Sequence, residues 1–111
     1  MILDELKKNL VIFQKEGNVE KLNVLRFFLS QVQNKEIELR PQNQTLTDEI
    51  VFKVLKKQIK DRKELIDIYQ KAGKTDKIEK ETKEMEILKE FAKLFPFDLE
   101  APAQYQRPEG K

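Results

Sequence analysis

The stretch Lys71-Ala72-Gly73-Lys74-Thr75-Asp76 constrains this chain more than any other. It separates two long runs whose apolar residues recur at three- and four-residue spacing, the mark of one face of an α-helix. Gly73 can take the left-handed conformation that ends a helix, and Thr75 followed by Asp76 reads as the cap of the next one. So short a connection between two helices forces them to fold back on each other as an antiparallel hairpin.

The rest of the chain continues the pattern. Leu3, Leu6, Leu10 and Phe13 define a first helix that stops at Gly17. Leu22, Leu25, Leu29, Val32 and Leu39 form the stripe of a second, running from about Val19 to Arg40, where Pro41 forbids continuation. Its early part, LNVLRFFL, is apolar almost all round, which predicts a central position, with Val24 and Phe27 turned away from the main stripe. The third helix opens at Thr47, an N-cap followed by Asp48 and Glu49 at the positive end of the helix dipole, and ends at Ala72. The fourth carries Ile78, Met85, Leu88, Ala92 and Phe95 and is expected to end at Pro96. Three of the four prolines, at 96, 102 and 108, then fall in the last stretch. The expected architecture is all-α. Residues 1–95 form a four-helix up-and-down domain with a long antiparallel helical hairpin, and residues 96–111 form an irregular, proline-rich tail.

Composition removes whole classes of chemistry. With no cysteine and no histidine, the chain has no thiolate nucleophile, no disulfide, no imidazole base and no His- or Cys-ligated metal. The lone serine, Ser30, lies inside the second helix, and the three glycines, at 17, 73 and 110, are too scattered for a phosphate-binding loop. No catalytic residue is evident and no cofactor is expected. No apolar run approaches the roughly 18 residues of a membrane span, and Asp4 and Glu5 stand where a secretory leader is basic and then apolar. The expected location is cytoplasmic, without a membrane partner.

Charge is nearly balanced overall, with 22 basic and 20 acidic residues, so any functional signal has to be local. On a helical wheel, Val51, Leu55, Gln58, Arg62, Leu65 and Tyr69 share one stripe of the third helix. Arg62 stands almost on its midline. A buried guanidinium needs a carboxylate, and counting back across the hairpin offers Glu81 or Glu84, with Glu84 preferred. Glu36 is a second inward carboxylate, on the second helix. Glu36, Gln58, Arg62 and Glu84 thus form an expected polar cluster, with a structural role weighed above a ligand-holding one. The opposite face of the third helix carries Lys53, Lys56, Lys57, Lys60 and Lys63, a cationic ridge able to follow a phosphate backbone. Arg26 and Lys35 are secondary candidates for the same role. Such a ridge is also the ordinary dress of a solvated helix, and no aromatic residues interleave it. Finally, Ile87 and Leu94 fall off the fourth helix's stripe and, with Phe27 and Ile37, suggest an apolar patch through which the chain pairs with itself or another protein.

Two blocks, LNVLRFFLSQVQNKEIELR and LTDEIVFKVLKKQIKDRKELIDIYQKAGKTDKIEKETKEMEILKEF, resemble the N-terminal helical part of the GatB/YqeY family. Leu25-Arg26, the Asn34, Glu36 and Ile37 set, the Gln58, Arg62 and Lys63 set, Lys71-Ala72-Gly73 and the run from Glu84 to Leu88 carry the likeness, which spans Leu6 to Phe91. It implies an all-helical fold and kinship with the tail region of the B subunit of the tRNA-dependent glutamine amidotransferase. Members are classed with carbon-nitrogen ligases that use glutamine as amide donor, although this region is not the catalytic centre. The implied partners are tRNA or an amidotransferase subunit, and DNA is not expected. The small C-terminal helical domain usual in the family, and its aromatic-Leu-Pro exit, have no counterpart in this sequence, where Phe91-Ala92-Lys93 stands at the exit.

Overall fold

Caps and stops set the helix boundaries. In the computed structural model, which describes residues 1–99, α1 spans Ile2–Glu16 and α2 spans Val19–Leu39. Gly17 joins them with φ at 70°, a value glycine adopts without strain. The side chain of Asn18 then accepts the Lys21 N–H at 3.1 Å and starts α2. Pro41 ends that helix through a single 3-10 turn, Arg40–Gln42. Helix α3, Asp48–Ala72, begins where Thr47 Oγ1 accepts the Ile50 N–H at 3.2 Å. Asp48 Oδ1 accepts the N–H of Ile2 at 3.1 Å, tying the first turn of α1 to the start of α3. Gly73 takes φ at 68°, as its place after Ala72 predicts.

Two boundaries differ from expectation. Helix α4 is Thr75–Ala92, its cap position is Lys74, and no side chain caps it. The Lys74 N–H is still bound to the Tyr69 carbonyl at 3.0 Å, so the turn is complete one residue early and Thr75 is already helical. At its other end α4 stops before Pro96 is reached. Proline disfavours helical backbone in the residue before it, so the chain tightens from Lys93 to Phe95 through N–H bonds to carbonyls three residues back. That tightening turns Phe95 into the core, where it is 1% exposed.

Helices α3 and α4 run antiparallel along each other. Phe52, near the start of α3, meets Phe95 just beyond α4, with ring centroids 5.3 Å apart, while Arg62, just past the middle of α3, meets Glu81 in the first half of α4. Helix α2 touches α1, α3 and α4, the central position its all-round apolar segment implied. That position explains one agreement and one correction. Val24 is buried, and so is Phe28, because neighbours on several sides leave α2 no single inward stripe. Ile87 is also buried, at 6%, because α4 is covered by α2 as well as α3. An interaction patch made of Phe27, Ile87 and Leu94 therefore does not exist as one surface: Phe27 and Leu94 are exposed and Ile87 is core.

The core continues past the expected boundary at 95. Phe97 packs against Phe52 with ring centroids 5.3 Å apart and the ring planes tilted by 46°, and Leu99 packs on the same cluster. The remainder of the expected tail, 100–111, lies outside the described residues. Between residues 60 and 80 no side chain is buried. The far end of the hairpin thus projects beyond the bundle, and Ile68 on it is 58% exposed.

Candidate nucleic-acid interface

Two polar regions meet on α3. The first is the ion cluster that closes the seam with α4. Arg62 Nη1 donates to both carboxylate oxygens of Glu81, at 3.0 and 3.1 Å, and lies 3.3 Å from Glu84 Oε1. One guanidinium therefore serves both carboxylates that the hairpin count had offered. It does so through one nitrogen rather than through its two-pronged fork, and Arg62 Nε is buried without a partner among the described residues. The ring of Phe27, reaching over from α2, lies 5.9 Å from the guanidinium carbon. This contact gives an exposed aromatic residue a role as cover for the cation. The Glu84 carboxyl is pushed above the ordinary glutamate range, mainly by burial and further by the neighbouring Glu81, against the opposing pull of Arg62.

Glu36 does not join this cluster. It is exposed, on the side of α2 that carries Arg26 and borders an open groove with Lys7 of α1, because a wheel position is inward only where another element packs closely over it. Gln58, half-buried and one helical turn before Arg62 on α3, opens onto a groove between α2 and α3.

The second region is the lysine face, which the fold divides into two grooves along the two sides of α3. Lys56, Lys57, Lys60 and Lys63 line one of about 820 Å³, joined by Lys89 of α4, with Ile59 and Leu99 beneath. Asp61 and Glu64 are its acidic members, and Asp61 is bound to Lys57 at 3.1 Å within α3. Lys53 faces the other groove, of about 640 Å³, together with Lys35 of α2. Lys57 and Asp61 border both. Lys60 and Lys63 are exposed, whereas Lys56 is half-buried and engaged in an interaction.

Among the residues singled out from sequence, the fold therefore brings Lys56, Lys57, Lys60 and Lys63 to one groove and Lys53, Lys35 and Gln58 to the other, with Lys57 on the border of both. It leaves Arg26 elsewhere, in a separate groove between α1 and α2 beside Lys7, Ser30 and Glu36. Lys89 escaped the sequence reading because it lies on a helix of balanced charge. The cross-hairpin register was its only signal. Among the described residues no three Asp or Glu side chains gather to hold a metal ion, and no helix is long and apolar enough to cross a membrane.

An all-helical bundle with a projecting hairpin and a basic grooved face is the class that these observations define. The sequence matches the YqeY-like protein family over residues 3–100, and the chain belongs to that family. It is also 33% identical over 86 residues to an uncharacterized protein of Schizosaccharomyces pombe, an alignment covering 78% of this chain and 68% of that one.

Proposed function

We propose that this YqeY-like protein is an RNA-associated accessory module of the cytoplasm that holds a phosphate backbone, with tRNA as the partner class, along the lysine face of α3. The observation that carries the proposal is the convergence of Lys56, Lys57, Lys60, Lys63 and Lys89, from two helices, on one groove against two carboxylates. An ordinary solvated helix face scatters its lysines and pairs them along its own helix; here a cation from the facing helix joins them. Neutralising phosphates releases condensed counterions, so affinity falls as salt rises. The resemblance of the two sequence blocks to the tail region of the amidotransferase B subunit supports tRNA as the partner and a supporting role beside that chemistry, since the sequence offers no evident nucleophile with a base of its own. In this proposal the helical domain expected over residues 1–95 works together with Phe97 and Leu99, which pack on its core, Leu99 also flooring the groove, and neither a metal nor a cofactor takes part.

Titration of labelled tRNA at two salt concentrations tests it. Lys60→Glu combined with Lys63→Glu is the informative variant, since both side chains are exposed and their loss leaves the core intact. Binding is expected to weaken with salt, and the double variant to lower the slope of log affinity against log salt by about 0.7 to 0.9 for each lost contact. Affinity indifferent to both salt and charge reversal overturns the proposal.

A further inference from the structure

The groove between α2 and α3 differs in chemistry from the lysine groove beside it. Four carboxamides face it: Gln31 and Asn34 from α2, Gln44 from the connection and Gln58 from α3. Gln31 and Gln58 are half-buried, Asn34 and Gln44 are exposed, and none of the four side chains makes a hydrogen bond within the protein among the described residues. Each carboxamide presents a donor and an acceptor side by side. Beneath them lie Leu39, buried, and Ile50 and Val54, half-buried. Lys35, Lys53 and Lys57 belong to the same groove with two carboxylates, Glu38, which meets Lys35 in an exposed contact at 3.3 Å, and Asp61, which meets Lys57 at 3.1 Å.

An apolar floor, an amide rim and cations in excess of carboxylates suit the chemistry of a nucleotide. A nucleobase has flat faces suited to apolar side chains and an edge of alternating donors and acceptors, which Asn and Gln meet in pairs. A groove of this volume has the size of a small-molecule site. Building on the proposed RNA role, we infer that this groove is a base-reading pocket for an unpaired nucleotide of a bound RNA strand, with Gln58 and Asn34 as the residues that set base preference. The nucleotide must be unpaired, because in a duplex the edge that the amides need is already occupied. Continuity between the grooves favours RNA over a peptide. Lys57 and Asp61 border both, so a strand whose phosphates follow Lys60 and Lys63 passes α3 with a base at the amides. Gln58 thereby acquires a reason to stand on a line where packing asks for an apolar residue.

Two measurements on the full chain test the inference and separate it from the backbone-binding proposal. The first compares labelled oligo-A, oligo-C, oligo-G and oligo-U with a fully paired RNA duplex. One homopolymer is expected to bind about 5- to 100-fold more tightly than the weakest, and single strands more tightly than duplex. Asn34→Ala combined with Gln58→Ala should level the four homopolymers while keeping the salt slope. Lys60→Glu with Lys63→Glu should weaken all four and keep their order. A second pair, Asn34→Ala with Gln31→Ala, serves should Gln58→Ala disturb the packing seen by circular dichroism. The second measurement follows the side-chain amide NMR signals of Gln31, Asn34, Gln44 and Gln58 during titration with AMP, CMP, GMP and UMP. Selective shifts from one nucleotide support a base pocket even where the lysine variants leave RNA binding unchanged, an outcome that removes the backbone proposal alone. Equal affinity for all four homopolymers and the duplex, with amide signals that no nucleotide moves, overturns the pocket. So does a preference that survives both amide variants, or amide signals that move only with a peptide.

Discussion

The two halves of the α3–α4 hairpin share one sequence style and differ in what surrounds them. At the base, Val51, Phe52, Leu55 and Ile59 face Leu88, Phe91, Ala92 and Phe95, and α1 and α2 close over both helices. Beyond residue 60 the same rhythm continues through Leu65, Ile66 and Tyr69, yet these residues are only half-buried, because each helix has just the other to lean on. The ion cluster of Arg62, Glu81 and Glu84 marks the border. There the bundle gives way to a projecting pair of helices, and the seam is held by charge instead of apolar bulk. The lesson is that helical periodicity reports a face, whereas the worth of that face depends on how many neighbours it meets.

The comparison can be broken or sharpened at several points. The largest effect is expected at the base: Phe52→Ala should lower the unfolding free energy by about 3–5 kcal/mol, because the ring meets Phe95 and Phe97 and its loss leaves a cavity. Urea denaturation measures this, and a loss below about 1 kcal/mol would place the core elsewhere. At the border, Arg62→Ala should cost about 3 kcal/mol, since it abandons two mostly buried carboxylates whose side chains are 10% and 19% exposed. Hydrogen exchange should then show the hairpin beyond residue 60 opening more readily than the base. Equal loosening of both halves would deny the cluster its position as a boundary.

The next effect depends on pH. The Glu84 carboxyl is held above the ordinary glutamate range in the folded state, so the native protein binds that proton more tightly than the unfolded chain. Its contribution is fully present below the unfolded value and disappears as pH rises through the folded one. Glu84→Gln removes the loss while keeping a polar group beside Arg62 and Glu81. Its stability relative to wild type should therefore be more favourable at neutral pH than below the ordinary glutamate value, as read by denaturant midpoints at both. A difference that does not change with pH rules out Glu84 as the titrating group. Smaller still, Gly73→Ala should cost about 1 kcal/mol from the left-handed backbone alone, because an added Cβ would meet nothing within 4 Å. At the projecting end, Ile68→Lys should change stability by no more than about 0.5 kcal/mol, and a larger loss would reveal a partner that covers that face.

Much of this architecture is legible from the chain. The two left-handed glycines, the Thr47 cap and the antiparallel hairpin follow from local rules, and the need of Arg62 for a carboxylate on α4 follows from the hairpin register. Misplacements occurred where local rules do not reach. Glu36 occupies an inward wheel position on a stretch of α2 where it stays exposed, while Ile87 occupies an outward position on a helix that is covered from more than one side. The candidate interface was half visible. A single helical wheel displays Lys53 to Lys63, but Lys89 joins only through the hairpin register, and Gln31, Asn34 and Gln44 join only once α2 lies beside α3.

By itself, the sequence determined which segments are helical, where most of them start and stop, and that the last two must fold back on each other, because these depend on interactions within a few residues. Only the tertiary structure decided which faces are buried, that one guanidinium holds two carboxylates, and that the amides gather in one of the two lysine-bearing grooves along α3. Those outcomes depend on distances between segments far apart in the chain, which no local pattern encodes.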